Sequence, residues 1–152
     1  MRLIPCLLVC LCACGGPLLE EGIYDVTTIQ VEDTCGYNQA DLNFPVWYVD
    51  HIGDKYGIQH RNGSTISGYA SKGTIFFAKT EWEEDEQCRY QIRTEMHLNP
   101  DGGDYFTGEL EYFVTADCTA DVCTVCWVVE GSLQERNTEG YQNPIHNRWP
   151  GS

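Results

Sequence analysis

The chain has 152 residues, with 23 Asp and Glu against 9 Lys and Arg and a formal net charge of −14. That balance excludes nucleic acid as a partner, because phosphates call for clustered Lys and Arg, and it argues against electrostatic docking on anionic lipid. The length allows one domain with a real core, and the charge reads first as a solvated acidic exterior, with attraction of cations or basic partners as the lesser reading.

Met1-Arg2 supplies a positive start, and Leu3 to Leu11 is an apolar run, the pattern of a secretory signal. It is too short to span a bilayer, which takes roughly 20 apolar residues. The run ends in Leu11-Cys12-Ala13-Cys14, which resembles the lipobox of bacterial lipoproteins, where a diacylglycerol is attached to the cysteine and the preceding residues are removed. The resemblance implies residues 1–13 as a signal peptide and Cys14 as the lipidation site, followed by Gly15-Gly16. It also implies the outer membrane of a Gram-negative cell, because the residue after the cysteine is not Asp. Acyl chains would then be the membrane contact. Cys6, Cys10 and Cys12 crowd the same run, so an ordinary cleaved signal or an upstream start stays open as the alternative. Residues 14–21 read as a short lipidated tether.

From residue 22 onward no long helical period occurs. Runs rich in β-branched and aromatic residues recur every ten to fifteen positions between turn signals. Eight strands are expected, at 22–34, 43–52, 55–61, 64–70, 73–82, 87–98, 104–115 and 123–135. Gly53-Asp54, Arg61-Asn62-Gly63, Ser71-Lys72-Gly73 and Asn99-Pro100-Asp101-Gly102-Gly103 supply the turn chemistry. Residues 136–152 read as an aperiodic C-terminal tail.

Alternation is clearest in the last three runs. Tyr90, Ile92, Thr94, Met96 and Leu98 share one face with Cys88; Phe106, Gly108, Leu110, Tyr112 and Val114 form the next; Val125, Trp127, Val129, Gly131 and Leu133 the last. One apolar and one wet face per strand marks an antiparallel sheet closed around a core. Sequential short turns favour an all-β, eight-stranded up-and-down meander barrel over residues 22–135, which also removes exposed edges. A barrel of that size is filled by side chains or holds one small ligand. Tyr90, Met96, Phe106, Tyr112 and Trp127 are expected to converge in a filled interior, with Gly108 relieving the crowding.

After Cys14 come Cys35, Cys88, Cys118, Cys123 and Cys126, disulfide candidates in an exported chain. Two bonds among five cysteines leave fifteen arrangements. Asp117 to Val122 reads as a tight loop, so Cys118 and Cys123 are expected to lie within the ~4.4–6.8 Å Cα window and to bond.

Gly22-x-Tyr24-x-Val26 with Asp33-Thr34-Cys35-Gly36, then Cys88, Phe106-Thr107-Gly108 and Cys118-x4-Cys123, resembles small β-rich lipoproteins of myxobacteria and their relatives. The architecture is similar to lipocalin- and avidin-type barrels. The resemblance covers most of the chain after Cys14 and implies fold and location but no activity. It also implies a second bond between Cys35 and Cys88, and Cys126 departs from its pattern.

Catalytic signatures are weak throughout. Cys123-Thr124-Val125-Cys126 has redox spacing, but a strand gives no helix dipole to lower a thiolate pKa and turns the two sulfurs to opposite faces. His51 and His60 are the one histidine pair that neighbouring strands bring toward each other, and exposed strand histidines are the commoner case. Glu81-Trp82-Glu83-Glu84-Asp85-Glu86 matches no calcium loop and reads as a solvated turn. No nucleophile elbow or triad is present, and no cofactor or metal is expected. The sequence therefore points to a membrane-anchored envelope lipoprotein with a structural or interaction role and no enzyme activity. The alternatives are a lipocalin-like carrier of a small apolar ligand and an anchored inhibitor of a basic hydrolase such as lysozyme.

Overall fold

The computed structural model describes residues 16–36, 45–60, 64–119 and 122–136. Cys14, the signal segment and residues 137–152 lie outside the described residues. The chain forms eight antiparallel strands: β1 (Gly22–Asp33), β2 (Val46–Ile52), β3 (Lys55–His60), β4 (Thr65–Ser71), β5 (Thr74–Glu84), β6 (Arg89–Asp101), β7 (Tyr105–Ala116) and β8 (Val122–Glu135). Each pairs with its neighbour in sequence, and β8 returns to β1, closing an up-and-down barrel. The turns form where residues tolerate a left-handed backbone. Gly102 and Gly103 both have positive φ at the β6–β7 reversal, and Lys72-Gly73 does the same between β4 and β5.

The strands are unequal. β2, β3 and β4 have 7, 6 and 7 residues, whereas β5 to β8 and β1 have 11 to 14. At about 3.3 Å per residue, one wall stands nearly twice as tall as the other. The barrel thus has a low rim where β2 begins, β3 ends and β4 begins. A bulge between Gln30 and Glu32 shifts β1 against β8 near the tall end.

The opposite end is plugged. Leu19 is fully buried in the core and pairs with Gly103. The Leu18 N–H donates to the Tyr56 hydroxyl at 2.8 Å, and the Glu20 N–H donates to the Gly103 carbonyl at 2.8 Å. The Tyr24 hydroxyl lies 2.9 Å from the carbonyls of both Glu20 and Gly103. Residues 18–20, expected as tether, are therefore part of the barrel, because Leu19 closes an end that would otherwise expose aromatic rings.

The interior is built on aromatic stacking over glycine. Trp47 stacks on Phe106 with centroids 5.6 Å apart and planes 17° apart, and Tyr24 tilts against the same ring at 5.6 Å. Phe106 lies over its register partner Gly131, where a Cβ would come within 2.2 Å of the ring. Gly68 similarly lies against Phe77, and Gly108 against Leu98 and the His97 carbonyl. Met96, Phe106 and Trp127 join this core as expected, with Tyr112 packed against it. Tyr90 does not. Its hydroxyl donates to Asp85 at 2.8 Å at the tip of the β5–β6 hairpin, because β6 extends above the core at that point.

Gly131→Ala is expected to cost about 1–3 kcal/mol in urea unfolding under non-reducing conditions, as overpacking typically does. Adding Phe106→Leu should recover part of that loss, a coupling that a double-mutant cycle measures directly.

Candidate functional site

Both disulfides sit at the tall end, and both correct the pairing expected from the sequence. Cys35 bonds to Cys123 with Cα atoms 5.0 Å apart, and Cys88 bonds to Cys118 at 5.4 Å. The reason is register. β6 and β7 pair Tyr90 with Ala116, so two residues further Cys88 faces Cys118. β1 and β8 pair Asp33 with Val125, and the same continuation sets Cys35 opposite Cys123. The Thr34 N–H donates to the Thr124 carbonyl at 2.9 Å and extends that ladder. Cys118 and Cys123, close in sequence, are held on two different ladders.

Cys126 is the free thiol among the described residues. It faces away from Cys123, beside the Glu111 carboxylate at 3.8 Å. Burial, then the carboxylates of Glu111 and Glu32, push its pKa up, the opposite of what thiol chemistry requires. The C-x-x-C spacing thus combines one bonded sulfur with one suppressed thiol.

The acidic run is a built hairpin tip. Asp85 accepts the N–H groups of Gln87 and Cys88, each at 2.8 Å, as well as the Tyr90 hydroxyl. The two backbone donors, then the Tyr90 hydroxyl, hold its carboxyl below the usual range. Trp82 is 53% exposed on this hairpin. The Arg89 guanidinium lies 4.3 Å from its ring and pairs with Glu84 at 3.2 Å. Among the described residues no group of His, Cys, Asp and Glu is arranged to hold a metal.

His51 and His60 are not brought together. β2 and β3 pair His51 with Tyr56 and His60 with Trp47, placing the histidines at opposite ends of their hairpin. His60 instead lines an interior cavity of about 30 Å³ with Thr28, Trp47, Ile66, Thr94, Met96, Leu110, Tyr112 and Trp127. Burial, then the nearby Lys79, lowers its pKa to about 4, so the imidazole is neutral at physiological pH. Tyr112 and Trp127 meet edge to face at 4.8 Å and form the facing wall. Sequence reading placed Thr94, Tyr112 and Trp127 on inner faces but missed Trp47 and His60. Their alternating positions in Trp47-x-Val49 and Tyr56-x-Ile58-x-His60 were the available signal.

Comparison with known protein families, curated proteins and solved structures gives no match to any of them.

Non-reducing peptide mapping should recover Cys35–Cys123 and Cys88–Cys118 peptides with Cys126 alkylatable. A linked Cys118–Cys123 peptide would contradict the register. An NMR titration should show His60 protonating near pH 4. Because its folded pKa lies below the unfolded value of about 6.5, the unfolded chain binds more protons as pH falls from 6.5 towards 4, and stability should decline across that window.

Proposed function

We propose that the chain is an envelope lipoprotein, anchored through Cys14, whose barrel acts by contact with another protein and not by catalysis or transport. One observation carries the reading: among the described residues the interior is packed with side chains, and the cavity they line is about 30 Å³. Ligand pockets for drug-sized molecules take roughly 300–1,000 Å³, and a cavity of about 30 Å³ is far smaller, which favours contact over a lipocalin-type cargo. What remains available for recognition is the outer surface and the tall rim.

The plugged end supports an orientation. From Cys14 to Leu18 the chain reaches at most about 14 Å, so an acylated Cys14 holds the Leu19 end close to the bilayer. The disulfide-tied rim with the β5–β6 hairpin then points away from it. That hairpin favours a basic partner. Trp82 is an exposed aromatic of the type that anchors interfaces, with the Arg89 guanidinium over its ring, and Glu83, Glu84, Asp85 and Glu86 follow it in the chain and make the hairpin tip acidic. The Cys88–Cys118 bond ties the hairpin to the β7–β8 connection, which lowers the entropic cost of binding. An inhibitor of a basic hydrolase is a specific form of this reading.

In cells labelled with palmitate, Cys14→Ser should remain unlabelled and lose its membrane association. A variant that still takes up label would move the anchor to Cys10 or Cys12, or remove the lipoprotein reading. In pull-downs from native membranes, Trp82→Ala should reduce recovery of a basic partner about tenfold or more while the unfolding midpoint stays unchanged. Equal recovery by the two proteins would place recognition elsewhere.

A further inference from the structure

The cavity at the low rim has a chemistry that neither core packing nor the contact function uses. Its walls are not uniformly apolar, since Thr28, Thr94, Tyr112 and His60 bring polar groups to an aromatic enclosure. The Trp47 indole is 1% exposed and its Nε1–H is buried without a hydrogen-bond partner. A buried donor left unsatisfied costs about 1–3 kcal/mol, and Trp47 lines the cavity, so an acceptor held there, a water or a ligand atom, would complete it. A second orphan lies close by. Gln30 stands two residues beyond Thr28 on the inner face of β1, opposite Trp127, and its Oε1 is also buried without a partner. The unpaired donor thus belongs to a wall of the cavity, and the unpaired acceptor stands one inward position beyond Thr28, above it.

The geometry points to this cavity as a binding site for the head of a small uncharged polar ligand carrying an acceptor beside a donor, such as a primary carboxamide. The ligand's acceptor takes the Trp47 Nε1–H, and its donor meets the Gln30 carbonyl. Thr28 and Thr94 offer hydroxyls that serve in either sense. The ring pairs Trp47–Phe106 and Tyr112–Trp127 hold the walls rigid, so the site is formed before the ligand arrives. His60, neutral at physiological pH, adds no charge to attract an anion. Lys79 and Glu81, on the inner face of β5 just above, pair with each other and leave the entrance without a dominant sign. Access follows from the strand lengths, since His60 ends β3 and Ile66 lies next to the start of β4, on the low side of the barrel. A volume of about 30 Å³ admits two waters or a head group of a few atoms, which excludes a whole lipid and fits the filled interior.

The test is an NMR titration of the disulfide-intact mature protein with acetamide, following the Trp47 indole N–H and the backbone amides of Thr94 and Tyr112. A saturable shift confined to these resonances is expected. Trp47→Phe, which keeps an aromatic ring and removes the donor, should weaken binding at least tenfold. Thr94→Val, nearly isosteric and milder for the fold, should weaken it about threefold. Three outcomes overturn the proposal. The cavity resonances could stay still to the solubility limit of the probe while the indole shows exchange with a long-lived water, making the cavity a hydration site only. Xenon could occupy the cavity while acetamide does not, making it an apolar void. Acetamide could bind both variants with wild-type affinity, placing its site elsewhere.

Discussion

Phe106 lies on Gly131 with no space for a methyl group between them, and the rest of the interior is arranged from that contact. Because β8 offers no side chain at this position, the ring crosses the lumen far enough to meet Tyr24 from β1 and Trp47 from β2. Trp47 in turn presents an edge to His60 at 5.5 Å. A single missing Cβ on β8 thus lets rings from four strands fill the plugged half. Leu19 and Tyr56 finish it from below, so the N-terminal segment is bound into the core before it can act as a free leash.

Unequal strand lengths turn this plugged tube into an object with two different ends. Below the low rim the cross-section is filled; above it the tall wall continues as a curved sheet. The two disulfides secure that wall where hydrogen bonding to β2 and β4 has stopped. Cys35–Cys123 holds the end of β1 against the start of β8, and Cys88–Cys118 holds the two upper hairpin connections together. Their separations in sequence are 88 and 30 residues. Cross-links over loops of that size are of the kind that constrain an unfolded chain by a few kcal/mol.

The architecture was legible because it depends on local signals. Period-two alternation in β6, β7 and β8 marked the inner faces, and glycine-rich reversals marked the hairpins. The Cys88–Cys118 bond was also within reach. A reversal centred on Gly103 sets residues fifteen positions to either side opposite each other, and those residues are the two cysteines. Proximity in sequence pointed instead to Cys118 and Cys123, which neighbouring ladders keep apart. Cys35–Cys123 was of another kind, since it follows from β1–β8 closure and from a bulge near Val31 that no local pattern reveals. The cavity was partly visible for the same reason. Thr94, Tyr112 and Trp127 stand on strands with clear alternation, whereas Trp47 and His60 stand on short strands whose outward residues Tyr48 and Gly57 are buried as well, which blurs the period.

The central claim is that the barrel interior is a packed core and not a container. The most direct measurement is the stability of Phe106→Ala by urea unfolding, paired with binding of a fluorescent fatty acid to the unaltered protein. A packed core predicts a loss of about 3–5 kcal/mol, as truncation of a buried ring does, and no saturable fatty-acid binding. A loss below about 1 kcal/mol together with stoichiometric micromolar binding would show a lumen built for cargo and would contradict the account.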